Sequence, residues 1–418
     1  MQRFILQTWG QRGLARKISA AWLGAVIALA VLNAGVARAQ GVVNGGDVIV
    51  VGGPKTISVS VVSGNATLAA LMTRAFQLHG AFHLVTSGET PEYELHFDLG
   101  GGSDVTASAE PKTQGGRALH QDIAGADWRD AAYRAGDYIV QGLTGLPGFF
   151  AGKLAFVSKR TGAREIYTSD MLGQVIFQRT NDKVDSLNPH WSPDGAKILY
   201  TGYYRTGFME LDLLDLAHGQ RRAFANYKGV NTGGVYSPDG KRVAMILSSK
   251  DHVQLFVSDA EGSRASMREL TDTATSKSSP TWSPDGTVIA LSSDPRGSPL
   301  LYQIPAAGGT MRTVPMADPL STYCTEAAWN PRDPNWLVFT AAQGEGMQLV
   351  LYNFQTHEAK WLGTGDSMEP CWTNDGRHVI YTSRSKSLMR LAIYDTQTGH
   401  NAFLTSKDAL QAAFVYTK

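Results

Sequence analysis

Cysteine is nearly absent: the 418 residues hold two, Cys324 and Cys371, so at most one disulfide can form. Histidine is sparse and scattered. His79 and His83 lie four apart, but Gly80 falls between them and no His-Glu-x-x-His pattern occurs. They read as surface or packing residues, and no metal site is expected. There is no Gly-x-Ser-x-Gly nucleophile elbow and no hydrolase-sized segment after the repeats described below. A Gly-x-x-x-x-Gly-Lys phosphate loop is also missing. Charge of one sign is lacking too: the formal net charge is +1, which leaves no electrostatic footprint for nucleic acid. These absences point away from catalysis, and no catalytic residue, cofactor or metal is assigned.

Long apolar runs are confined to the amino end. Arg3, Arg12, Arg16 and Lys17 give a positive start, Ala20 to Leu32 is apolar, and Ala37-Arg38-Ala39 supplies small residues around a cut. That order is expected of a signal peptide over residues 1–39, cleaved near Ala39, and so of export. A membrane anchor is the alternative, but the run is short of a ~20-residue span. No cysteine sits near the cut to carry a lipid. Residues 1–39 hold five Lys/Arg and no Asp/Glu, so cleavage takes the net charge from +1 to −4.

What the chain has in abundance is one phrase, an aromatic followed by a tight turn. It occurs at Trp191-Ser-Pro-Asp-Gly195, Tyr236-Ser-Pro-Asp-Gly240, Trp282-Ser-Pro-Asp-Gly286, Trp329-Asn-Pro-Arg-Asp333 and Trp372-Thr-Asn-Asp-Gly376. The aromatics are 45, 46, 47 and 43 residues apart, and Phe414 follows 42 residues later. A period of about 40–50 residues built from short strands marks a β-propeller rather than scattered turns in a sandwich. In one repeat the strands are expected at Pro280–Trp282, Val288–Ser292, Leu300–Ile304 and Met311–Val314. Pro284 presets φ in the turn and Gly286 takes the left-handed conformation that closes it. Cys324 and Cys371 sit at different places in neighbouring repeats; a disulfide is open to them, and free thiols are the simpler reading.

The blade count follows from the ends. Five complete copies each supply four strands. Gln411–Lys418 supplies a first strand alone, and 153–158, 165–169 and 174–178 supply three strands without a first. Joining them completes a sixth blade and removes an exposed edge. Residues 41–147 carry no such repeat. Strands are expected at Thr56–Val62 and Tyr93–Leu99, a loop at Gly100–Gly102, and helices at Ala66–His79, capped by Asn65 and stopped by Gly80, and at Asp127–Gly142. The expected fold is mainly β: a six-bladed propeller over 150–418 preceded by a small α/β domain over 41–147.

The chain resembles the TolB family, the exported propeller of the Tol-Pal system of Gram-negative envelopes. The resemblance is most specific at the junction: Trp128-Arg129, Asp137, Leu143-Thr144-Gly145, Gly148 and Phe150, leading into Lys153–Val157. Asp294–Ile304 with Gly308-Gly309 also looks like the family's blade signature. The family implies a periplasmic, non-catalytic monomer that reaches the membrane only through partners. Its propeller mouth binds the peptidoglycan-associated lipoprotein, and its amino-terminal region engages a TolA-like inner-membrane protein. It supports outer-membrane integrity and constriction during division. An exported propeller enzyme or a glycan- or peptide-binding module, related to lyases or peptidases, is the alternative.

In a propeller the link from an outer strand to the next inner strand opens on one mouth. The residue three before each aromatic should line it: Asn188, Gly233, Ser279, Glu326, Glu369 and Gln411. Thr232, Ser278, Thr325 and Met368 extend the rim. The family's contact loops fall at Asn231–Gly233 and Ser278–Ser279. The set is polar, small and mildly acidic, which suits a hydrogen-bonding protein surface; a solvated channel without a ligand is the alternative. Replacing Glu326 and Glu369 together by alanine is expected to weaken partner binding.

Overall fold

A computed structural model describes residues 56–417 apart from 87, 296, 318–319 and 387. The signal peptide expected over residues 1–39 and its cut near Ala39 lie outside the described residues.

The aromatic-turn phrase repeats because each copy solves the same two problems, closing a hairpin and joining two blades. In the turn after Trp191, Gly195 has φ 70° and donates to the Ser192 carbonyl at 2.9 Å. The Asp194 carboxylate accepts from the Ala196 amide at 3.0 Å and from the Ser192 hydroxyl. The aspartate thus caps the turn. The indole meanwhile reaches sideways. Nε1 of Trp191, Trp282 and Trp372 donates to the carbonyls of Ala413, Val235 and Ala328 at 3.2, 3.1 and 3.0 Å. Each carbonyl belongs to the inner strand of the preceding blade, so these tryptophans pin neighbours together as well as fill the wedge. Trp329 departs from the pattern and donates to Pro334 in its own turn at 2.8 Å.

The result is six four-stranded antiparallel sheets. The inner strands of five are Ser186–Trp191, Asn231–Tyr236, Lys277–Trp282, Cys324–Trp329 and Ser367–Trp372. The remaining sheet is composite: Leu410–Val415 pairs with Lys153–Thr161, which pairs with Ala163–Asp170 and then Ile176–Gln178. Second strands are almost wholly apolar and buried, as in Val288–Ser293 and Trp336–Gln343, because sheets pack on both of their faces. The repeat strands expected at 280–282 and 311–314 run Lys277–Trp282 and Arg312–Thr313.

The amino-terminal region is an α/β sandwich. Its strands are β1 (Ile57–Val62), β2 (Phe82–Leu84), β3 (Tyr93–Leu99), β4 (Asp104–Pro111) and β5 (Leu119–Ala124), in the order β2-β1-β3-β4-β5. Helices α1 (Ala66–Leu78) and α2 (Trp128–Thr144) cover one face. Asn65 caps α1, its Oδ1 accepting from the amides of Thr67 and Leu68 at 3.0 Å each. Asp127 caps α2 and Gly145 ends it at φ 76°. Gly80 is not the stop of α1, which ends at His79 in extended backbone. It is glycine for want of space: a Cβ there would lie 2.4 Å from the Asp395 carboxylate and the Thr398 hydroxyl of the propeller.

That close approach belongs to one continuous junction. A single apolar core runs from Leu68, Met72 and Phe76 through Phe149 and Phe150 to Phe156, Ile380 and Ile393. Asp137, 6% exposed, accepts from the amides of Phe150 and Ala151 at 2.7 and 3.0 Å and from the Tyr416 hydroxyl at 3.0 Å. Burial pushes its carboxyl up to about 7, against the pull of those donors. Gly148 must lack a side chain because a Cβ would fall 2.1 Å from Asp137 Oδ1. His79 is a packing residue, buried here with its ring 4.5 Å from that of His378. His378 Nδ1 lies 2.6 Å from Asp375 and Nε2 lies 3.5 Å from Asp395, which also binds Arg377. Two carboxylates thus face one guanidinium and one imidazolium. The carboxylates lift His378 to about 9 despite its burial, while burial and the charge on His378 hold His79 well below its usual value.

Candidate functional site

Every inner strand runs toward its aromatic and the turn beyond it. The α/β domain docks at that end, where Asn374 Nδ2 in the turn after Trp372 donates to the Gly148 carbonyl at 3.0 Å. The six residues three before each aromatic therefore sit toward the opposite mouth.

All six share a backbone conformation that the sequence does not advertise. Asn188, Gly233, Ser279, Glu326, Glu369 and Gln411 have φ of 51, 65, 50, 53, 56 and 53°. Pairing with the second strand slips at each: Ser278 faces Ser292 and Thr281 faces Ala290, so two residues oppose one. This is a β-bulge with its first residue left-handed, a position that favours glycine, and here only Gly233 is glycine. A left-handed L-residue costs ~1–2 kcal/mol.

In half of the ring the side chains return that cost. Glu326 Oε2 accepts from the Glu369 amide at 3.0 Å, and Glu369 Oε2 accepts from the Gln411 amide at 3.0 Å. Gln411 Oε1 then accepts from the Asn188 amide at 2.9 Å. Gln411 Nε2 adds a bond to Glu369 Oε1 at 3.0 Å. Each side chain thus holds the bulge of the next blade. Two threonines that sequence reasoning did not single out complete the lacing: Thr340 and Thr382 donate to Glu326 and Glu369 at 2.8 and 2.7 Å. For Thr340 the signal was present as a lone hydroxyl in the apolar run Leu337–Ala342, whereas Thr382 stands between Tyr381 and Ser383 and carries none. Burial and then the Glu326 charge raise Glu369 to about 7, and burial raises Glu326 against the bonds it accepts.

The other expected site residues divide. Ser278 is exposed, and Thr232, Gly233 and Ser279 are half-buried. Thr232 shares a hydroxyl contact with Thr201 at 2.7 Å. Asn231, first residue of the contact loop that the resemblance implies, is 1% exposed. Its Nδ2 donates to the carbonyls of Met209 and Tyr227 at 3.0 and 2.7 Å, and its Oδ1 accepts from the Tyr227 amide at 2.8 Å. It fastens the loop from beneath. Both cysteines are free thiols. Among the described residues no helix is long and apolar enough to cross a membrane.

The fold and its repeats have known relatives. Residues 140–412 match the model of the TolB beta propeller domain. Curated proteins named Tol-Pal system protein TolB, from Anaeromyxobacter dehalogenans strain 2CP-1 and Anaeromyxobacter sp. strain K, are each 36% identical over 160 residues. Those alignments span 38% of this chain and 36% of the length of each relative. The crystal structure of TolB from Acinetobacter baumannii superposes with a TM-score of 0.75 at 19% identity, covering 87% of this chain and 98% of that one. A chain of a nidogen/laminin complex superposes with a TM-score of 0.52 at 12% identity, over 64% of this chain and 99% of that one. At such identities the two structures speak for the fold alone. The family match over the repeats decides the relationship, and the chain belongs to the family of the TolB beta propeller domain.

Proposed function

We propose that this protein is a non-catalytic periplasmic scaffold of a Tol-Pal system. Its propeller mouth binds the peptidoglycan-associated lipoprotein, and its amino-terminal region engages a TolA-like inner-membrane protein. Through these contacts a monomer peripheral to the membrane supports outer-membrane integrity and constriction during division. The observation that carries the reading is the mouth that faces away from the α/β domain: a rim of Asn188, Thr232, Ser278 and Ser279 around a ring of backbone bulges, polar and free of the junction. Support also comes from the name shared by the curated relatives.

The ring of bonds changes which residues suit a test. Glu326 and Glu369 hold neighbouring blades, so replacing them would disturb the mouth whether or not they touch a partner. Exposed Ser278 has no such duty. In calorimetry with the purified lipoprotein, Ser278→Arg is expected to weaken binding at least tenfold while leaving the melting temperature unchanged. Equal affinity of Ser278→Arg and the wild type would remove this mouth from consideration.

A further inference from the structure

The outer face of the amino-terminal sheet carries a cluster that the scaffold reading does not use. Helices cover the face built by Val59, Leu95, Phe97, Val105, Ala107 and Ala109, all fully buried. The alternate residues point the other way. On that side Glu94 and Glu110 are directly paired across β3 and β4, and His96 stands two residues along from Glu94 on the same face. His96 Nε2 is 2.9 Å from Glu94 Oε1 and 3.8 Å from Glu110 Oε2. Lys112 Nζ occupies the same acidic pair, 3.1 Å from Glu94 and 3.5 Å from Glu110.

We propose that Glu94, His96 and Glu110 form a binding site for a divalent transition-metal ion of the Zn²⁺ type. The spacing fits without backbone movement. A tetrahedral ion with bonds of ~2.0–2.2 Å holds its ligands ~3.3–3.6 Å apart, and 2.9 and 3.8 Å bracket that range. The three ligand atoms converge within 4.8 Å of one another. An imidazole beside two carboxylates selects zinc over calcium or magnesium, which take oxygen ligands. Three protein ligands leave a fourth position for water or for a side chain of a docking partner. Lys112 is the built-in competitor: its side chain is 34% exposed and long enough to swing into solvent when an ion enters.

The second cluster of metal-capable groups, His79, Asp375 and His378, is a poorer host. Both ring nitrogens of His378 already face carboxylates, and Arg377 balances the remaining charge. The proposed site is independent of the propeller mouth, so its fate and that of the scaffold reading can be told apart.

The test is titration of the purified full-length protein with Zn²⁺ by calorimetry, and with Co²⁺ followed through its visible absorption. One ion per chain is expected to bind in the micromolar range. His96→Ala should lower the affinity by more than the ~10–100-fold that losing an outer-shell group costs. Glu110→Gln should weaken binding, and Lys112→Met should tighten it. No binding, binding that survives His96→Ala, or weaker binding by Lys112→Met would each overturn the assignment.

Discussion

Glycine at position 369 should make a better protein than alanine, the reverse of the usual order inside a strand. Glu369 sits at φ 56° and accepts three hydrogen bonds: from the Thr382 hydroxyl at 2.7 Å, the Gln411 amide at 3.0 Å and Gln411 Nε2 at 3.0 Å. Either substitution removes all three, at about 2–4 kcal/mol, since each net bond contributes ~1 kcal/mol and the Gln411 amide keeps the Thr382 hydroxyl as acceptor. Alanine retains the left-handed penalty of ~1–2 kcal/mol. Glycine escapes it but loses ~0.5–1 kcal/mol in chain entropy. Glu369→Gly should therefore be more stable than Glu369→Ala by about 0.5–1 kcal/mol, read as urea midpoints at pH 8. The same pair at Cys371, in extended backbone of the same strand, should rank alanine first. The carboxyl adds a pH signature. Its folded value of about 7 lies above the ordinary 4.5, so its stabilisation is complete below about pH 4.5 and lost as pH rises through 7. The stability difference between wild type and Glu369→Gln should tilt in that direction by at most ~1.4 kcal/mol per pH unit. Alanine equal to or better than glycine at 369 would refute the claim that these bulges store strain.

Deleting residues 411–418 removes the inner strand of the composite blade and should lower the melting temperature sharply in a thermal scan; an unchanged melt would contradict ring closure by this strand. Trp282→Phe leaves the Val235 carbonyl without its indole partner and should cost about 1–2 kcal/mol in chemical denaturation, against ~3–5 for Trp282→Ala. Asp137→Asn keeps one acceptor oxygen and turns an NH2 either toward the Phe150 amide or toward the Ala151 amide and the Tyr416 hydroxyl, so a loss of ~1–3 kcal/mol is expected, with hydrogen exchange quickening at whichever of the two amides faces it.

The propeller was legible because its repeats carry backbone chemistry: a glycine at φ near 70° after Ser-Pro-Asp cannot be swapped freely, so it stays visible. Blade number followed from that rhythm, and the family resemblance from the junction residues Trp128 to Phe150. The amino-terminal sheet was only partly legible. β4 alternates small residues, Val105, Ala107 and Ala109, against Thr, Ser and Glu, a pattern too weakly apolar to announce a strand, and β2 is three residues long. The funnel positions were located by counting back from the aromatics, yet their left-handed geometry was hidden because five of the six are not glycine. The inward turn of the Asn231 amide was hidden because position in a repeat says nothing about which way a side chain points. Gly80 was read locally, as a helix stop, when its reason lies some 300 residues away in the Asp395 carboxylate, a contact no periodicity can foretell.

The composite blade also orders events on the ribosome. Lys153–Thr161 leaves the exit tunnel early, but its inner neighbour Leu410–Val415 is made after all the other strands of the ring. At ~5–20 residues per second, the intervening stretch of about 250 residues takes ~12–50 s to synthesise. Until that last strand is delivered, the amides and carbonyls along one flank of Lys153–Thr161 can pair only with water, and chaperones that bind extended segments have their opportunity there.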